Sequence, residues 1–154
     1  MHKCITRATS FLKLLTLMAC AIAAAWSSHA RADGSSLPYG HGGMRFPEMD
    51  GIVQQYNRTG ELFRIEGECR SSCTELLAIK NVCIDPSATL EFHAALLRPD
   101  QPVDPGRNQQ MVSHYNSSLR SFVLANHYMD SWTFHPISGS EMIRKFGYRR
   151  CPGK

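Results

Sequence analysis

Residues 63–95, FRIEGECRSSCTELLAIKNVCIDPSATLEFHAA, constrain the fold more than any other part of the chain. They read as a short strand, a glycine-bearing turn, a helix that opens on two serines, and a return strand ending in a histidine. Such a layout supplies a hydroxyl at a helix N-terminus and an imidazole from a later strand. With backbone donors, these are the parts of a nucleophilic serine site.

The chain before this stretch divides at residue 32. Lys3 and Arg7 give a positive start, an apolar run follows, and Ala30-Arg31-Ala32 supplies a small-x-small cleavage site. Residues 1–32 therefore read as a secretory signal peptide, too short and wrongly flanked for a membrane span. The apolar run continues past Cys20, which argues against lipid attachment there. The expectation is an exported protein with no stable membrane insertion once the leader is removed.

Removing the leader changes the charge argument. It carries four of the 17 Lys and Arg and none of the 13 acidic residues, so the mature chain is formally neutral. No cluster of basic residues interleaved with aromatics stands out, and a nucleic-acid partner is not expected. The 122 residues that remain of 154 suffice for one small domain with one core.

Cys69, Cys73, Cys83 and Cys151 stay with that domain. In an oxidising compartment an even number favours two disulfides, with three connectivities open. A bridge from Cys151 would pin the C-terminus to the core, and Cys73 to Cys83 is a reasonable companion. A different reading takes Cys69, Cys73, Cys83 and His93 as a Cys-x3-Cys-x9-Cys-x9-His zinc set. Export and the unpaired Cys151 weigh against it, so neither a metal nor another cofactor is expected.

Along the rest of the chain, residues 33–46 read as a flexible arm with a Gly-rich turn, and 47–154 as the domain. A helix is expected over 47–56, with Met49, Ile52, Val53 and Tyr56 at helical spacing. Strands are expected over 62–65, 82–84 and 88–93, with a turn over 67–72 between the first strand and the helix. Ser72-Cys73-Thr74-Glu75 has the form of a capping box, in which Glu75 reaches back to the cap. Residues 99–107 read as an exposed loop or lid, 111–126 as the longest helix, 132–137 as a strand or extended link, and 141–146 as a last short helix. His41, His114, His127 and His135 show no ligand spacing and read as surface residues. Strands and helices mix throughout, which gives an α/β class.

Gly67-Glu68-Cys69-Arg70-Ser71-Ser72, followed by a helix and then Ala88-Thr89-Leu90-Glu91-Phe92-His93, resembles the Clp protease proteolytic subunit and its crotonase-like relatives. In that family a glycine stands four residues before the nucleophilic serine, and the base histidine ends the second strand that follows. Gly42-Gly43, 28 residues before Ser71, resembles the paired glycines of the oxyanion hole. Ser138-Gly139-Ser140-Glu141 with Gly147 is similar to the family's closing helix. The chain looks closest to small secreted bacterial relatives with a Cys-x-Ser-x-Cys-Thr core.

The resemblance implies a small single-domain Clp protease/crotonase-like fold, stapled by disulfides and exported to the bacterial periplasm or beyond. It implies Ser71 as nucleophile, His93 as base and Asp130 as the orienting carboxylate. Ser72 with Gly42 or Gly43 would form the oxyanion hole. The implied function is a serine hydrolase acting on a peptide or small ester. The alternative is a silent module that binds a peptide or partner protein in the same cleft, and a homo-oligomer fits either. Helix capping by Ser71 or Ser72, and a hydrogen-bonded structural role for His93, are the bland readings of the same residues.

Overall fold

The computed structural model describes residues 33–95 and 100–153. The expected leader and residues 96–99 lie outside the described residues. Among the described residues are six short strands: β1 (Gly34–Ser35), β2 (Phe63–Ile65), β3 (Glu68–Arg70), β4 (Val82–Ile84), β5 (Thr89–Phe92) and β6 (His135–Ser138). The α-helices are α1 (Phe46–Thr59), α2 (Pro105–Ser113), α3 (Ser117–Ala125) and α4 (Gly139–Phe146). A 3-10 helix spans Ser71–Ala78, and a single 3-10 turn spans Leu37–Tyr39. The class is mixed α/β, as expected.

One repeated step builds both sheets. β2 turns at Gly67, whose φ of +65° suits glycine, into β3, and the 3-10 helix carries the chain back. β4 then lies parallel to β2, with Phe63 opposite Val82, and β5 lies parallel to β3, with Glu68 opposite Thr89. Parallel neighbours need a crossover of this kind, because no tight turn can join them. The first sheet runs β1-β2-β4 and the second β3-β5-β6, with β6 antiparallel to β5.

Burial follows from that stacking. All three residues of β2 are buried, as in a parallel strand covered on both faces. Ile65, Leu76, Ile84, Leu90 and Phe92 form the centre, and α1 adds Met49 and Val53. Each such side chain contributes roughly 1.5–3 kcal/mol by leaving water. Gly60, in the left-handed region, ends α1. Ser138 caps α4 by accepting from the Glu141 N–H, and Gly147 ends it.

Several expectations change. Residues 33–46 are not an arm: β1 pairs with β2, and Ser36 is buried with its hydroxyl bonded to the Glu66 backbone. The expected turn over 67–72 contains β3, which exists because β5 lies beside it rather than through any local pattern. The helix over 111–126 is two helices. Asn116 leaves the first and caps the second by accepting from the Leu119 N–H. α1, with 14 residues, is the longest described helix. The last third of the expected loop over 99–107 is the start of α2, where Asp104 caps and Pro105 takes the first helical position.

The cysteines pair as Cys69–Cys73 and Cys83–Cys151. Cys151 does pin the C-terminal segment to the core, beside the parallel bridge from Ile84 to Arg150. The companion is not Cys73 to Cys83: the 3-10 turn brings Cys73 back against Cys69. With all four thiols bonded, the Cys-x3-Cys-x9-Cys-x9-His zinc set is excluded. Two disulfides fit an oxidising compartment. Among the described residues, no helix is long and apolar enough to cross a membrane.

Candidate active site

Ser71 is the residue on which the candidate site turns. Its φ is +54°, in the left-handed region, and only His127 shares that trait among described non-glycine residues. Holding a non-glycine residue there costs roughly 1–3 kcal/mol, so the surroundings must enforce it. Two features do. The Cys69–Cys73 disulfide closes a short loop that contains Ser71, and the Gly-rich segment is pressed against residues 70 and 71.

That segment runs beside residues 70–72 with three contacts in register. The Arg70 N–H donates to the Gly40 carbonyl at 2.9 Å, and the Met44 N–H donates to Ser72 Oγ at 3.1 Å. Between them, Gly42 comes so close that a Cβ would lie 2.7 Å from the Arg70 oxygen and 2.8 Å from the Ser71 Cβ. Only glycine fits. The Gly42 N–H is already bonded to the Tyr39 carbonyl, so Gly43 is the member of the pair left to face a ligand. Gly43 lines the pocket described next.

Ser71, Ser72, Gly43 and His93 line one pocket of about 490 Å³. His93 follows β5 directly and is 1% exposed. Its ring meets Trp132 and Phe134 edge-on, with centroids 4.8 and 4.6 Å away. Neither ring nitrogen has a hydrogen-bond partner among the described residues. Burial pushes the imidazole down to about 4, against a smaller opposing pull from the Ala94 backbone. At neutral pH it is therefore an uncharged base. The bonds that follow it pin its position: Ala94 N–H to the Ser131 carbonyl, and Ala95 N–H to Asn108 Oδ1.

Asp130 is not part of this arrangement. Its carboxylate bonds His127 Nδ1 at 2.8 Å and is 64% exposed, and it makes no hydrogen bond to His93. The tight turn after α3 aims it at its own neighbour. The capping-box expectation also fails: the Ser72 hydroxyl accepts from Met44, and Glu75 is buried without a hydrogen-bond partner. Glu75 lines the same pocket as His93, and burial, with the Asp50 charge nearby, raises its carboxyl to about 8.

Trp132, Phe134 and Glu75 are site residues that the sequence left unassigned. Only Glu75 carried a signal, a polar residue among Leu76, Leu77 and Ile79, and the capping pattern offered a simpler account of it. Comparison with family models, curated proteins and solved structures finds no match for the chain.

Proposed function

We propose that the protein is an exported serine hydrolase of the Clp protease/crotonase-like kind, acting on a peptide or small ester. The observation that carries this reading is Ser71, held left-handed at the edge of a pocket that it shares with a neutral, unpartnered His93. Left-handed strain at a hydroxyl is costly, and the close approach of Gly42 and the local disulfide both serve to maintain it. Two stacked strand–strand–helix steps support the family reading of the fold.

In this mechanism Ser71 Oγ attacks a carbonyl carbon while His93 takes the hydroxyl proton. The N–H groups of Ser72 and Gly43 hold the oxyanion, as preorganised donors do. His93 then gives its proton to the leaving group, and water, activated by the same ring, frees the acyl group from Ser71. The pair works without an orienting carboxylate. Packing against Trp132 and Phe134 fixes the ring instead.

A second reading is favoured by one observation. The hydrogen bonds that would poise Ser71 and His93 are not made, and Asp130 is engaged elsewhere. On that reading the pocket is a silent cleft for a peptide or partner protein. Labelling with a fluorophosphonate separates the two. Wild-type labelling that is lost in both Ser71→Ala and His93→Ala supports the hydrolase. A folded, disulfide-bonded protein that takes no label supports the cleft.

A further inference from the structure

Three side chains from separate elements converge beside the pocket. Asp50 lies on α1, Glu75 on the 3-10 helix, and His114 at the C-cap of α2. Their ligand-capable atoms all lie within 4.8 Å of one another. His114 Nε2 is 2.9 Å from Asp50 Oδ1 and 3.9 Å from Glu75 Oε2. The inference is independent of the Ser71–His93 reading.

Glu75 is the observation that points to a ligand. Its side chain is 0% exposed, it is directed into this cluster, and neither carboxyl oxygen has a hydrogen-bond partner among the described residues. Buried carboxyl groups are ordinarily paired or bound to a cation, because an orphaned one forfeits its hydration without return. His114 supplies a second, separate indication. Its Nδ1 lies 3.0 Å from the Gln110 carbonyl, which can only accept, so Nδ1 carries the hydrogen. Nε2 then faces the two carboxyl groups, and a backbone carbonyl on the far nitrogen is the support that metal-binding histidines usually have.

We propose that Asp50, Glu75 and His114 bind a divalent transition-metal ion of the zinc class. One imidazole nitrogen and two carboxylate oxygens suit zinc or its neighbours better than magnesium or calcium, which favour all-oxygen shells. Three protein ligands around a tetrahedral zinc stand roughly 3.4 Å apart for bonds of about 2.0–2.1 Å. The two separations from His114 Nε2, 2.9 and 3.9 Å, bracket that value, and the two carboxylates lie within 4.8 Å of each other, so side-chain adjustments of about an ångström close the site. Without the cation, Nε2 pairs with Asp50 and Glu75 is left over. With it, all three side chains gain a common partner. Glu75 also lines the pocket, which brings the ion to the pocket wall.

The test is a zinc titration of the chelator-treated, disulfide-bonded protein by calorimetry, beside Glu75→Gln, His114→Gln and Asp50→Asn. Near-ultraviolet circular dichroism and the Tm of each variant establish that it folds. The expected result is one zinc per chain. Binding should weaken in the folded variants by more than the roughly 10- to 100-fold that loss of a supporting contact costs. Cobalt in place of zinc should give a visible absorption band that the His114→Gln protein lacks. Should Glu75→Gln or His114→Gln fail to fold, Asp50→Asn, at the most exposed of the three ligands, carries the comparison. Failure of the wild type to bind zinc, or equal binding by every folded variant, would overturn the proposal.

Discussion

His93 and Glu75 face the same pocket, are equally shut off from water, and lack hydrogen-bond partners among the described residues, yet they solve burial in opposite ways. The imidazole is neutral once its proton is gone, and the aromatic edges of Trp132 and Phe134 accept it at little cost. The carboxyl group is neutral only while it keeps its proton, and the Asp50 charge adds to the pressure to keep it. Burial thus leaves a free base at one place and a retained acid at the other. The first can accept a hydroxyl proton, as a base weakened by its burial. The second invites a cation.

The two groups pull stability in opposite directions with pH. Glu75 rises from 4.5 to about 8 on folding, so the folded state holds a proton that the unfolded chain has lost. Stability from this group falls as pH climbs from about 4.5 to about 8. His93 drops from 6.5 to about 4, so the unfolded chain takes up a proton that the folded state refuses. Stability from this group falls as pH drops from 6.5 to about 4.

The largest effect that would break this contrast is expected from Glu75→Gln. An amide of the same shape is neutral without having to hold a proton, so the metal-free variant should be more stable than wild type at pH 7.5 by on the order of 2–4 kcal/mol. Urea unfolding across pH should also show that its stability no longer declines between 4.5 and 8. A variant no more stable than wild type at pH 7.5 would mean that Glu75 is already compensated there.

Trp132→Ala addresses the other group. Opening the half-buried wall should admit water to His93 and raise its pKa towards 6.5, visible as a shifted ring titration by NMR. Stability should fall by about 1–3 kcal/mol from lost packing. An unmoved titration would mean that something other than this wall keeps the ring uncharged. The smallest effect belongs to Asp130→Asn. Its exposed pair with His127 is worth about 0–1 kcal/mol, and fluorophosphonate labelling should be unchanged. A large loss of labelling would restore Asp130 to the site.

The contrast also marks what the sequence could reveal. Ser71, His93 and the paired glycines were reached through a resemblance, and Gly42 packs on Ser71. β2, β4 and β5 were legible because apolar runs between turn residues have few other uses. β3 was not, since Gly67-Glu68-Cys69-Arg70 gains its strand form only from β5 beside it. The apolar spacing of Val112, Tyr115, Leu119, Phe122 and Val123 crosses a break that only the Asn116 cap reveals. The Asp50, Glu75 and His114 cluster draws on three elements far apart in the chain, so no local pattern announces it. Asp130, implied by the resemblance, turns outward to His127, which the sequence does not show.

The most direct test of the account is the rate of fluorophosphonate labelling at Ser71 as a function of pH, beside His93→Gln. The account predicts a rate that rises with the neutral form of His93, is half-maximal near about 4, and loses that dependence in the variant. Labelling that proceeds at the same rate and with the same pH profile in His93→Gln, or no labelling of the folded wild type, would contradict it.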